Sequence, residues 1–122
     1  MKARFADTHC HLDFSEFDSN RSQIISSCAE ASIELLVIPS VDSSSWERVR
    51  KISSVYPAVY FAYGLHPLYI ERHQSSDLSG LAEWICAEKN IRHGCKLVAL
   101  GEIGLDASVG DLPKQMLFFQ AQ

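Results

Sequence analysis

No stretch of this 122-residue chain approaches the roughly 20 consecutive apolar residues that a bilayer span needs, so no membrane segment is expected. No basic segment followed by a long apolar run stands at its start, and no secretory signal is expected. The four cysteines, Cys10, Cys28, Cys86 and Cys95, show no C-x-x-C spacing. They read as free thiols in a reducing compartment, which places the chain in the cytoplasm. Cationic side chains are few: 11 Lys and Arg stand against 15 Asp and Glu, for a net charge of -4 with histidine neutral. That argues against a broad electropositive surface for nucleic acid. It leaves room for phosphate chemistry at a bound metal, where the cation supplies the local positive charge. No G-x-G-x-x-G follows the first apolar run, which disfavours a dinucleotide fold, and no Gly-rich loop ends in G-K-S/T, which excludes a P-loop hydrolase.

What is present suits one domain with a moderate core: 47% hydrophobic and 21% charged residues. Short apolar runs alternate with amphipathic segments four times. Strands are expected over residues 3–8, Glu34 to Pro39, Ala58 to Tyr63 and Leu97 to Leu100. The second, an unbroken apolar run, is expected to be covered on both faces. Helices are expected from caps at Asp18 or Ser19 to about Ala31, from a Ser44–Glu47 capping box to about Ser54, from Asp77 or a neighbouring serine to about Asn90, and from Asp111 and Pro113 onward. Cys28, Val49, Ile52, Cys86, Met116 and Phe119 are expected to face inward, and Arg48, Arg50 and Lys51 to form a wet helix face. Such alternation predicts a parallel sheet with right-handed crossovers.

The unusual polar residues fall at one end of that sheet. His9 and His11 follow the first strand two residues apart, a spacing that puts both rings on one side. Cys10 then faces away from them. Asp7 and Asp13 flank the pair and are suited to orient imidazoles or join a metal shell. His66 follows the third strand, with Pro67 restricting its backbone to extended values. Binding a phosphate, orienting a water and closing a loop all remain open to it. Glu102, between Gly101 and Gly104, follows the fourth strand and is the strongest single carboxylate. The glycines would permit close approach of substrate or metal. Asp106 lies just beyond, suited to support the site or to cap its loop. His73 and His93 read as solvated surface. Carbonyl-end clustering of this kind marks the active face of parallel α/β folds.

Three segments, Asp7-Thr-His9-Cys-His11-Leu-Asp13, Gly64-Leu-His66-Pro67 and Gly101-Glu102-Ile-Gly104-Leu-Asp106, resemble the TatD family of metal-dependent hydrolases, within the amidohydrolase-like barrel superfamily. Gln115 and Phe118 to Gln120 are similar to the helix that follows the family's Glu motif. The resemblance implies a TIM (β/α)8-barrel, of which residues 1–122 would be the N-terminal half, about four βα units. It implies His9, His11 and Glu102 as metal ligands, with Glu102 contacting both of two divalent ions (Mg, Mn or Zn). His66, Asp13 and Asp106 would be supporting catalytic residues. The implied activity is a deoxyribonuclease cleaving phosphodiester bonds, with DNA as the partner. The alternatives are a non-catalytic remnant with a partial metal site and a metallohydrolase acting on cyclic amides. The family's later ligands, two histidines and an aspartate, have no counterpart in this chain. Four strands do not close a barrel, so self-association or a further C-terminal half is expected to cover the open edges.

Overall fold

A computed structural model describes residues 3–122. Four strands, β1 (Phe5–Asp7), β2 (Ile33–Pro39), β3 (Val59–Tyr63) and β4 (Leu97–Leu100), alternate with four helices, α1 (Arg21–Glu30), α2 (Trp46–Val55), α3 (Ser75–Lys89) and α4 (Leu112–Ala121). The sheet is wholly parallel, in the order β1-β2-β3-β4. The parallel α/β sheet is what the alternating pattern predicted, and it is consistent with half a (β/α)8 barrel, the fold that the resemblance implied.

Alternation along the strands explains the core. Leu36 and Ile38 of β2 are buried, as are Val59, Phe61 and Tyr63 of β3, and they meet Trp46, Val49 and Ile52 of α2 and Leu81 of α3 in one cluster. Tyr63 stands edge-on to Trp84, with ring centroids 5.6 Å apart. Each of these large side chains contributes about 1.5–3 kcal/mol on burial. The opposite face of β2, with Leu35 and Val37, is only partly covered, and β1 is exposed along its length. The expectation of a strand covered on both faces therefore holds for one face only. Two positions on the other strands stand out as exposed apolar surface, Phe5 of β1 and Val98 of β4.

Several element ends differ from expectation, each for a local reason. The first strand is three residues long, and α1 starts after Asn20 with no side-chain cap. Asp18 does not cap because its carboxylate accepts from Arg21 and Arg48. The capping box before α2 joins Asp42 and Ser45 rather than Ser44 and Glu47. Glu47 instead pairs with Lys51 one helical turn on, at 2.7 Å. Asp111 caps α4 as expected, accepting from the Lys114 amide at 3.1 Å, with Pro113 in the first turn.

Two helices bury faces other than those that apolar periodicity favours. In α4 the buried residues are Gln115 and Phe118, while Met116 and Phe119 are exposed. Gln115 is inside because its amide serves the preceding loop: Oε1 accepts from Asp106 N, and the two N–H groups of Nε2 are shared among the carbonyls of Asp106, Val109 and Gly110. In α3 the buried pair is Leu81 and Glu88, and Cys86 is exposed. Glu88 is tolerated there because Arg50 of α2 donates to it at 2.6 Å and the Tyr63 hydroxyl at 3.3 Å. Arg50 is thus more than a wet-face residue, and so is Arg48, which donates to the Asp13 carbonyl.

The end of the sheet away from the polar motifs is closed by one ammonium. Lys96, just ahead of β4, places its Nζ within 2.8–3.2 Å of the carbonyls of Ser53, Tyr56, Pro57 and Val59, which share its three N–H donors. It satisfies carbonyls around the end of α2 and offsets the negative pole of that helix.

Candidate metal centre

The carbonyl ends of β1, β3 and β4 deliver the polar residues to one place. His9 and His11 leave β1 in a turn secured by the Asp7 carboxylate, which accepts from the His9 amide at 3.0 Å. Cys10 points the other way, packs against the core and reaches toward the Val37 carbonyl at 3.6 Å. Burial, with Asp7 nearby, pushes its thiol up to about 11, so it is a poor thiolate.

His9 Nε2 and His11 Nε2 lie 3.3 Å apart. Glu102 completes a triangle, with Oε1 at 3.1 Å from His9 Nε2 and Oε2 at 3.4 Å from His11 Nε2. A cation bound tetrahedrally at 2.0–2.1 Å holds its ligand atoms about 3.3–3.4 Å apart. The 3.3 Å between the two imidazole nitrogens matches one edge of such a polyhedron, the carboxylate reaches each nitrogen with a different oxygen, and all three groups are chemically suited to a borderline divalent metal. All three lie within 4.8 Å of one another, the one group of metal-ligating side chains of this kind among the described residues. The trio is able to coordinate one metal ion.

Two buried polar atoms beside it lack hydrogen-bond partners, His11 Nδ1 and Asp13 Oδ1. They face each other at 3.8 Å. When Nε2 of His11 ligates a metal, Nδ1 carries the proton, and a carboxylate aimed at it is the customary orienting partner. Burial raises the Asp13 carboxyl above its ordinary value, opposed by hydrogen bonding and by the nearby cationic groups. The ring of Phe14 stacks on His11, with centroids 4.9 Å apart and planes at 17°.

His66 stands on the far side of Glu102, its Nε2 3.7 Å from Oε1. Its Nδ1 accepts from the Leu68 amide at 2.9 Å. In the neutral ring the proton is therefore on Nε2, so His66 presents a donor to the site rather than a lone pair. Asp106 is turned toward its own loop, accepting from the Ser108 amide at 2.8 Å and hydroxyl at 2.6 Å. Those bonds hold its carboxyl below the ordinary range.

Close approach of backbone occurs at Gly64, not at Gly101 or Gly104. A Cβ on Gly64 would lie 2.4–2.6 Å from backbone atoms of Gly101 and Glu102, whereas nothing lies within 4 Å at the other two. The exits of β3 and β4 thus touch main chain to main chain. Ser40, at the exit of β2, ties both: its hydroxyl accepts from the Gly64 amide at 3.1 Å and its carbonyl from the Glu102 amide at 2.9 Å.

Other contributors escaped the sequence pattern. Trp46 Nε1 donates to the Gly64 carbonyl at 3.2 Å. Gln122 accepts from the Leu65 amide at 2.8 Å and donates to its carbonyl at 3.3 Å. His73, expected on the surface, is buried, with Nε2 at 2.9 Å from the His66 carbonyl and its ring against Phe118. A carbonyl only accepts, so His73 donates there. His93 is exposed, as expected.

The model of the family described as TatD related DNase matches residues 6–122. The chain belongs to this family. An uncharacterized metal-dependent hydrolase of Escherichia coli (strain K12), YjjV, is 35% identical over 114 residues, which cover 93% of this chain and 42% of that protein. An uncharacterized metal-dependent hydrolase of Haemophilus influenzae is 32% identical over 127 residues, covering 97% of this chain and 47% of its own length. The crystal structure of YjjV, a TatD homolog, superposes with a TM-score of 0.84 at 33% identity, over 99% of this chain and 46% of that one. The chain thus spans less than half the length of the TatD-family relatives it matches.

Proposed function

We propose that this chain is part of a divalent-metal-dependent deoxyribonuclease that cleaves phosphodiester bonds. The observation that carries the reading is the convergence of His9, His11 and Glu102, whose ligand atoms lie close enough together to hold one cation. Membership of a family described as TatD related DNase supports the substrate class. When bound, the metal supplies positive charge that draws a phosphate oxygen and acidifies water. The remaining work falls to side chains. His66, fixed as an Nε2–H donor, would hold a non-bridging phosphate oxygen. Asp13 would keep His11 in the Nδ1–H tautomer. Asp106 would act from its turn as a supporting residue. Two metals per complete site, as Mg, Mn or Zn, form part of the proposal, with Glu102 contacting both and further ligands arriving from outside these residues. This local charge makes the net charge of -4 compatible with a nucleic-acid substrate.

A second proposal concerns the edges of β1 and β4, each paired on one side only. They are covered in the working protein by further strands, from the same polypeptide or a second copy. No helix among the described residues is long and apolar enough to cross a membrane. Its four cysteines are free, which supports a cytoplasmic location as part of the same proposal.

Calorimetric titration with Zn and Mn, followed by hydrolysis of DNA and of cyclic amides, tests the function. Metal-dependent release of nucleotides, lost in Glu102→Gln, is the expected result. Absence of metal binding would sink the reading. Binding without hydrolysis of any substrate would favour a non-catalytic chain with a partial site, and turnover of cyclic amides alone would replace the nuclease.

A further inference from the structure

The loop after His11 is held from beneath by two arginines on different helices. Arg21, the first residue of α1, donates from Nε to the Leu12 carbonyl at 2.5 Å and from Nη2 to the Phe14 carbonyl at 3.2 Å. Arg48, in α2, donates from Nε to the Asp13 carbonyl between them. Three consecutive carbonyls are thus each taken by a guanidinium N–H. Both guanidiniums also meet Asp18 Oδ1, Arg21 at 2.6 Å and Arg48 beside it. One carboxylate anchors two forks.

We propose that Arg21, Arg48 and Asp18 form a positioning brace for the metal centre, setting the ring of His11 through the main chain of residues 12–14. The consequence of fixing those carbonyls is geometric. Asp13 carries the carboxylate that faces His11 Nδ1, and Phe14 carries the ring stacked on the imidazole. With their main chain held, both neighbours of the imidazole are held, and Nε2 is left aimed at Glu102. The task calls for arginine: a planar fork donates from Nε and Nη in two directions at once, whereas a lysine ammonium is a single point on a flexible stem. None of the three residues reaches the donor triangle, so they act on it only through residues 12–14.

The proposal rests on the metal-site reading, and the test separates the two. Zinc affinity and the imidazole 1H–15N spectrum of His11 are measured in the full chain and in Arg21→Met, Arg48→Met and Arg50→Met. Loss of either brace arginine is expected to weaken zinc binding about 10–100-fold, the usual effect of removing an orienting partner, and to shift the His11 signals. Arg48→Lys is expected not to rescue. Arg50→Met strips the buried Glu88 of its 2.6 Å partner at a place remote from the loop. It is expected to lower the melting temperature while leaving both readouts unchanged, which a merely structural role for Arg48 would not predict. Should Arg48→Met fail to fold, Asp18→Asn, which weakens the shared anchor and keeps both arginines, is read in the same way. Wild-type affinity and unshifted His11 signals in the folded brace variants would overturn the proposal. A wild-type chain that binds no zinc, but whose His11 signals still move on loss of Arg48 and not of Arg50, would overturn the metal reading and leave the brace standing.

Discussion

Gly64 has no room for a side chain, and this ties the fate of Glu102 to a residue on another strand. A methyl group there would meet backbone atoms, which have no flexible end to swing aside. Gly64→Ala is therefore expected to push the Gly101–Glu102 main chain away. Overpacking of this kind costs about 1–3 kcal/mol. Because Glu102 contributes two of the three edges of the donor triangle, zinc affinity should fall about tenfold or more, on the scale set by orienting-residue losses. Parallel zinc titrations and thermal melts check both effects, and an unchanged affinity would show that the β4 exit moves freely. At this scale the sequence disclosed the candidate ligands better than the residues around them. His9 and His11 stand out because strand alternation puts both on one side, and Glu102 because an acid interrupts an apolar strand end. His73 and Gln122 do not stand out. Their roles are hydrogen bonds to main-chain carbonyls and amides of Leu65 and His66, and no residue pattern advertises such a partner.

Among the elements, caps and helix faces were where local rules met tertiary competition. Asp18 has the chemistry of a helix cap, yet two arginines, Arg21 close by in sequence and Arg48 from α2, claim its carboxylate. The hydrogen bond from Arg21, with the charge of Arg48 added, holds Asp18 below its ordinary value of 3.8. A carboxylate depressed in this way stabilises the fold while ionised. Its contribution is complete above 3.8 and is lost as pH falls through the lowered folded value. Denaturation followed from about pH 5 to about pH 2 should therefore show a smaller acid-side loss for Asp18→Asn than for the wild type. Matching slopes would mean that the pair is too screened to matter, as exposed ion pairs often are. The strand–helix alternation itself was legible, because short apolar runs and capping signals repeat four times. The inward face of α4 was not. Apolar periodicity favours Met116 and Phe119, but the loop's main-chain groups at Asp106, Val109 and Gly110 take both the acceptor and the donors of one amide, and this turns Gln115 inward.

Viewed whole, the molecule is an open sheet with a donor cluster at one end and a lysine-closed junction at the other. Its order, β1-β2-β3-β4, leaves an unpaired edge on each side. Phe5 is 58% exposed on one edge strand and Val98 52% on the other. Unpaired edges with apolar side chains attract other strands. The chain by itself is expected to associate as its concentration rises in sedimentation experiments, and Val98→Lys to reduce that association. A monomer at all concentrations would count against coverage by a second copy. The strand order also bears on how the polypeptide is made. Every strand pairs with the one before it, so each crossover closes a loop of modest length and no strand awaits a distant partner. During synthesis each new βα unit can dock on an edge already in place, growing the sheet from the N-terminus in one direction. The same free edge that receives each new unit stays open to other strands until that unit arrives, so pairing during synthesis competes with association between chains.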